Sequence, residues 1–184
     1  MKKFLIYTVS LMLLILSTLI FILIDNNDYL CEFAEKIKLI KQTRKPRIIF
    51  LGGSNLAFGL DSRRIQDSLG VNVINMGLHA GIGIRFAMRS IESYIRRGDI
   101  VVLAVEYSNF YNDGCDGNSQ TLTNLMLCSH WKGFSKLTFT QMLHVLAGIP
   151  VCSWYNLNRL KVYLKTKSWN SSSSKEIYSY QKDY

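Results

Sequence analysis

The sequence predicts an α/β domain built on a parallel sheet, preceded by one N-terminal transmembrane helix. The first observation is an uncharged, almost entirely apolar run at residues 4–24. The second is a series of short apolar segments that alternate with segments of helical periodicity. Strands buried in a parallel sheet and joined by helical crossovers are typical of this alternation. The chain has 184 residues, 48% of them hydrophobic, which suits a single domain and excludes a disordered or fibrous protein.

The apolar run at residues 4–24 has the length of a membrane-spanning helix. At about 1.5 Å per residue it reaches roughly 30 Å, the thickness of the hydrocarbon core of a bilayer. A cleaved signal peptide has a shorter apolar core and small residues at its cleavage site, whereas this run leads into Asp25 and Asp28. Lys2 and Lys3 precede the run, so the positive-inside rule predicts a cytoplasmic N-terminus and an exported main domain. The basic stretch at residues 36–47 argues weakly for the opposite orientation.

The remaining elements follow from periodicity, caps and breakers. Asp61 is predicted to cap a helix that turns Ile65 and Leu69 inward and ends at Gly70. The other predicted elements, in chain order, are a stalk helix at 29–41 within a linker at 26–46, strands at 47–51, 71–77 and 100–105, a helix at 82–97 between the second and third strands, a polar loop at 108–120, two or three helical stretches at about 121–130, 135–148 and 154–166, and a polar tail at 169–184.

The formal net charge of +9 indicates an anionic partner. Basic proteins often bind nucleic acid, but an exported domain behind a membrane anchor would meet anionic lipid head groups or an acidic cell-surface glycan instead. The sequence therefore predicts membrane lipid as a partner through residues 4–24, a possible acidic glycan, and no nucleic acid. No Cys or His spacing suggests a metal site, and no cofactor is predicted.

Four cysteines, at positions 31, 115, 128 and 152, leave the redox state open. In an exported domain Cys115 and Cys128 are the favoured pair, because a bridge between them would close the polar loop. The alternative is that all four are ordinary small hydrophobes.

Polar residues follow each predicted strand, and the carboxyl ends of parallel strands meet at one edge of a sheet. The three strand ends are Gly52-Gly53-Ser54-Asn55, Asn75-Met76-Gly77 and Glu106-Tyr107-Ser108-Asn109. Ser54 follows two glycines at a sharp strand-to-helix turn, a placement that suits a serine nucleophile with backbone N–H groups nearby. The alternatives are that the tetrad is only a turn, or that residues 52–54 form a phosphate site.

The first two of these strand ends, with Leu78-His79-Ala80-Gly81, resemble the first two sequence blocks of the SGNH (GDSL-like) hydrolase superfamily. The similarity covers residues 47–110 and is greatest to membrane-anchored, exported members associated with cell-surface polysaccharide modification. It implies a three-layer, flavodoxin-like parallel sheet over residues 47–168. It also implies a Ser54 nucleophile and an oxyanion hole formed by the N–H groups of Ser54 and Gly77, with Asn55 in the pocket.

The sequence departs from the family pattern in two blocks. The third block of the family supplies an Asn to the oxyanion hole, and Asn109 is a candidate that lies out of register; Glu106 either faces the pocket or caps backbone. The fourth block, Asp-x-x-His, is not visible. His79 lies near the second strand end and is a candidate base, whereas His130 and His144 are predicted to be structural.

The resemblance implies ester hydrolysis or O-acyl transfer, often of acetyl groups, on a cell-surface glycan. Because the Asp-x-x-His block is not visible, the predicted enzyme would be inactive or incomplete as it stands. Two explanations remain open: a truncated or frameshifted product of a longer enzyme, or a complete, non-catalytic binding or scaffold module with the same pocket.

Overall fold

The computed structural model describes residues 2–22 and 29–166, so the predicted tail at 169–184 lies outside the described residues. Three parallel strands form its sheet: β1 (Arg47–Gly52), β2 (Asn72–Asn75) and β3 (Ile100–Ala104). The strand order is β2-β1-β3. The seven α-helices of the described residues are α1 (Lys2–Ile22), α2 (Phe33–Gln42), α3 (Ser54–Gly59), α4 (Ser62–Leu69), α5 (Ile84–Glu92), α6 (Ser119–Cys128) and α7 (Phe139–Thr166). The mixed α/β class and the parallel sheet are thus confirmed.

The strand order reverses its direction at β1, the central strand of the sheet. The chain runs from β1 to β2 on one side and then crosses to β3 on the other side. In such sheets a crevice opens beyond the carboxyl ends of the strands at which the direction of winding reverses. β1 is the central strand and is buried along nearly its whole length, which agrees with its continuous apolar run.

One apolar core joins the sheet to its helices. Ile49 and Leu51 of β1 pack with Ile74 of β2 and with Phe86 and Ile91 of α5. Leu30, Phe33 and Ile40 belong to the same core. Helix α2 and the turn before it therefore pack into the domain, whereas the sequence predicts a stalk over 26–46.

Helix α4 begins and ends where the sequence predicts. The Asp61 carboxylate accepts a hydrogen bond from the Arg64 N–H at 2.9 Å, and Gly70 ends the helix with a φ of 64°. Its inward face is less buried than predicted, because Leu69 remains 58% exposed. An additional helix, α3, was not predicted and begins directly at Ser54.

Two α-helices, α6 and α7, follow the polar loop within the described residues, where the sequence predicts two or three. The stretches predicted at 135–148 and 154–166 form one continuous helix, α7, with Pro150 inside it. A proline normally breaks a helix because it removes one N–H donor and clashes with the preceding turn. Here Val145 and Cys152 are buried on either side of Pro150.

The large apolar side chains of α1 between Phe4 and Leu16 are 44% to 76% exposed. Across the described residues, no helix combines the length and the hydropathy of one that crosses a membrane. The predicted span at 4–24 extends two residues past the end of α1, into residues outside the described part of the chain.

Candidate functional site

The register of the sheet brings Ser54 and Glu106 together. Gly52 of β1 pairs with Ala104 of β3, and each of the two polar residues lies two positions beyond its paired residue. The Ser54 hydroxyl donates a hydrogen bond to Glu106 Oε1 at 3.4 Å. The carboxyl ends of the central and third strands thus hold a hydroxyl and a carboxylate in contact, at the point where the strand order reverses.

Other atoms approach both glycines before Ser54 closely. A Cβ at Gly52 would lie 2.2 Å from the carbonyl oxygen of Ala104, so only glycine lets the two strands pair at this point. A Cβ at Gly53 would lie 2.3 Å from Glu106 Oε1. The Gly-Gly pair therefore makes room for the partner strand and for the carboxylate that contacts Ser54.

The second strand end is fastened to α3 through Asn75. Its side-chain Nδ2 donates to the Leu56 carbonyl at 2.8 Å, and its Oδ1 accepts from the Gly77 N–H at 2.8 Å. The N–H that the resemblance assigns to the oxyanion hole is therefore hydrogen bonded within its own turn. A Cβ at Gly77 would lie 2.6 Å from Leu56 Cβ, so this glycine is needed for close packing against α3.

His79 is bonded to backbone. Its Nδ1 accepts the Gly81 N–H at 2.8 Å and so begins the short turn Ala80–Ile82. Its ring lies beside that of Tyr29, with 6.2 Å between the centroids. In this structure His79 orders the loop after β2, and the hydrogen bond of the Ser54 hydroxyl goes to Glu106.

Asn109 is buried and holds two loops together. Its Nδ2 donates to the carbonyl oxygens of Ala80, at 3.0 Å, and Gly114, at 2.9 Å. Both amide hydrogens are engaged, so the side chain positions the rim of the crevice. Asn55 is exposed, and its Oδ1 accepts the Leu56 N–H at 2.9 Å.

The two later histidines have structural partners, as predicted. His130 Nδ1 lies 3.2 Å from the Cys128 carbonyl oxygen, and His144 Nδ1 lies 3.1 Å from that of Gly117. All four cysteines are free thiols, so the favoured Cys115–Cys128 bridge is not formed. Cys128 and Cys152 are buried, whereas Cys31 and Cys115 are half-buried. Burial raises the pKa of the Cys152 thiol. Within the described residues, no group of three or more His, Cys, Asp or Glu side chains is arranged to hold a metal ion.

Lys36 of α2 reaches the strand end of β2, which sequence analysis did not anticipate. Its Nζ donates to the Asn75 carbonyl at 3.1 Å and lies 4.0 Å from Glu32 Oε2. Burial lowers the pKa of Lys36, and the Glu32 carboxylate opposes that shift. Burial also raises the pKa of Glu32. The amphipathic pattern of residues 29–41 was the signal that this helix packs near the sheet.

Comparisons of the chain with protein-family models, with curated proteins and with solved structures found no match. The site is therefore interpreted from its own geometry: a serine hydroxyl and a carboxylate in contact at the carboxyl edge of a parallel sheet, surrounded by backbone that Asn75, His79 and Asn109 hold in place.

Proposed function

We propose that this chain is a membrane-anchored, SGNH-like domain of the serine esterase and O-acyltransferase class, with a flavodoxin-like three-layer fold, acting on a cell-surface glycan. The observation that carries the proposal is the placement of Ser54 directly after β1, at the central crevice, with its hydroxyl bonded to Glu106. A nucleophile needs a proton acceptor within reach. The Glu106 carboxylate, which accepts the hydrogen bond of the Ser54 hydroxyl, supports the proposal as the candidate for that role.

The chemistry proceeds through an acyl-serine. The Ser54 oxygen attacks the carbonyl carbon of an ester, the bond to the leaving alcohol breaks, and the serine proton passes by way of Glu106 to that alcohol. Water or a sugar hydroxyl then takes the acyl group from the serine. As a class, carboxylates are weaker proton acceptors than imidazoles. We therefore expect acylation of Ser54 to be slow.

The membrane anchor belongs to the same proposal. Residues 4–24, including the two beyond the described helix, would hold the chain in the bilayer, with Lys2 and Lys3 on the cytoplasmic side and the domain exported. The exposed apolar side chains of α1 support this placement, since an apolar surface of that extent is unfavourable in water.

A second candidate is a non-catalytic, membrane-anchored module that binds a glycan in the same crevice. The observation that favours it is that the polar groups around Ser54 already have partners. Gly77, His79 and Asn109 all direct their hydrogen-bonding groups to nearby backbone or side chains. Such a module would bind without turnover, and its binding would survive the loss of the Ser54 hydroxyl.

The test is acylation of the full chain, reconstituted in lipid nanodiscs, by an activated acetyl ester. Intact mass reports acetyl transfer to the protein, and release of the alcohol reports turnover. We expect Ser54→Ala to abolish acylation. The matched control is Ser68→Ala, an exposed helical serine whose hydroxyl bonds the Arg64 carbonyl at 2.7 Å, and it should acylate like the wild type.

Unchanged acylation in Ser54→Ala would contradict the enzymatic proposal. The outcome that favours the binding module has two parts. Neither the wild type nor Ser54→Ala is acylated, and both proteins bind the same polysaccharides on an array of acidic and neutral surface glycans.

A further inference from the structure

Helix α7 exposes a long apolar face that the proposed function does not use. Its exposed large side chains recur every three or four residues, and three of them are exposed by 76% (Phe139), 61% (Leu146) and 65% (Trp154). The outer face of α7 consists of Phe139, Leu143, Leu146, Pro150, Val151, Trp154 and Tyr155. At about 1.5 Å per residue, it extends for about 25 Å.

The inner face of α7 packs against α6, and this packing fixes the orientation of the outer face. Gln141, Val145 and Cys152 are buried on that side. The Thr123 hydroxyl of α6 donates to the Val145 carbonyl at 2.9 Å, and a Cβ at Gly148 would lie 2.6 Å from the Ser119 carbonyl oxygen. Because α6 and α7 are in such close contact, α7 cannot rotate to bury its outer face in the domain.

Charge distinguishes this surface from the rest of the molecule. Positions 139–158 contain no Lys, Arg, Asp or Glu, and no Asp or Glu occurs anywhere between Asp116 and Glu176. Basic residues flank the apolar segment on both sides, at Lys132, Lys136, Arg159, Lys161 and Lys165. Along the sequence, this segment thus has an uncharged centre and purely basic flanks, and Lys161 lies beside Trp154 at the end of the outer face. That pattern complements an anionic plane.

We propose that the outer face of α7 lies in the interfacial region of an anionic lipid bilayer and holds the domain against the membrane. An interfacial helix buries an apolar face at the boundary between head groups and acyl chains, with basic residues toward anionic head groups. Trp154 and Tyr155 are the residue types enriched at that depth. The Lys161 ammonium lies 5.5 Å from the centre of the Trp154 ring, so a cation and an amphipathic aromatic side chain share the end of the face.

A lipid surface suits this face better than a protein partner does. Specific protein interfaces carry about one hydrogen bond per 100–200 Å², and the outer face offers few hydrogen-bonding groups apart from the Trp154 indole and the Tyr155 hydroxyl. Binding to a lipid surface requires only apolar area and basic residues beside it. This contact is independent of Ser54 and lies beyond the proposed anchor at residues 4–24.

The test follows the fluorescence of Trp154 in the full chain. Trp131→Phe and Trp169→Phe leave Trp154 as the one tryptophan. The protein is reconstituted in nanodiscs of phosphatidylcholine with phosphatidylglycerol, with and without lipids brominated on the acyl chain. We expect blue-shifted emission and strong quenching by the brominated lipid. Leu146→Glu should abolish most of that quenching.

The control is Leu69→Glu, which places the same charge at a leucine of α4 that is 58% exposed, close to the exposure of Leu146. It should leave the quenching unchanged. Co-flotation of each variant with the lipid measures whether the protein stays bound to lipid through the anchor at residues 4–24. Leu146→Glu should therefore still float with the lipid. Equal quenching in Leu146→Glu, or no quenching in the parent protein, would overturn the proposal. A blue shift of Trp154 emission in detergent that increases with protein concentration would also overturn the proposal. It would show that a second copy of the chain covers the outer face.

Discussion

Gly53 and Glu106 determine how the hydroxyl of Ser54 is held. A Cβ at Gly53 would overlap the Glu106 carboxylate, and it would also lie 3.3 Å from Ala80 Cβ. The carboxylate is the end of a flexible side chain, so it can move away where backbone could not. The Ser54–Glu106 hydrogen bond is therefore sensitive to a single methyl group that leaves the strands in place.

Gly53→Ala should slow the acylation of Ser54 while reducing the unfolding free energy by only about 1–2 kcal/mol, a modest overpacking cost. Intact-mass kinetics and urea denaturation measure the two effects. Gly59→Ala is the matched control because nothing lies within 4 Å of its new Cβ, and it should acylate normally with equal or slightly higher stability. Acylation of Gly53→Ala at the wild-type rate would show that Glu106 does not assist Ser54.

Sequence analysis located the residues of the candidate site but not their hydrogen bonds. Ser54 and Glu106 could be predicted to approach because they follow strands of one parallel sheet. The partners of His79 and Asn109 could not be predicted, because they depend on the exact course of the loops after β2 and β3. A local N–H or carbonyl is always available to a turn residue, and such bonds compete with a role in a site.

At the scale of elements, a buried ion pair joins four segments at the amino end of the sheet. Arg47 of β1 contacts both carboxylate oxygens of Asp99, which precedes β3, at 3.0 and 2.9 Å. Its guanidinium also donates to the carbonyls of Ile40, at the end of α2, and Tyr94, after α5. Both side chains are almost fully buried. Their hydrogen bonds therefore offset the free-energy cost of removing both charges from water.

Asp99→Asn should destabilise the domain by about 3–5 kcal/mol at neutral pH, because it leaves the Arg47 charge buried without its partner. The side-chain hydrogen bonds from Arg47 hold the pKa of Asp99 below its usual range, against the opposing effect of burial. The contribution of Asp99 is thus complete above the unfolded pKa, about 3.9, and declines as the pH falls through the lower folded pKa.

Urea denaturation between pH 7 and pH 2 measures this effect. The difference in unfolding free energy between the wild type and Asp99→Asn should be constant near neutral pH and shrink below about pH 4. Asp67→Asn, on the exposed side of α4, is the control and should leave the unfolding free energy within about 0.5 kcal/mol of the wild type. A difference that stays constant to the lowest pH would contradict the assigned role of the ion pair.

The elements themselves were predicted unevenly, and the reasons are physical. The strands and the helix from Asp61 to Gly70 carry strong local signals, namely apolar runs, a side-chain cap and a left-handed glycine. Helix α7 was divided in two because Pro150 is a strong local breaker. Its continuity depends on packing against α6 across both sides of the proline, which a local pattern does not contain.

At the scale of the whole molecule, two helices of the described residues carry long exposed apolar surfaces. One is α1, with its exposed side chains, and the other is the outer face of α7. The sequence indicated the first through composition alone. The second was hidden, because a helix that is apolar all round gives no periodicity that separates its buried side from its exposed side.

The central claim is that Ser54 is the residue that receives an acyl group. The most direct measurement is to treat the full chain in nanodiscs with a fluorophosphonate probe, which reacts with nucleophilic serines, and to map the modified residue by peptide mass spectrometry. The account predicts a slow, stoichiometric adduct on Ser54 that disappears in Ser54→Ala. An adduct on a different residue, or a folded protein that remains unmodified at Ser54, would contradict it.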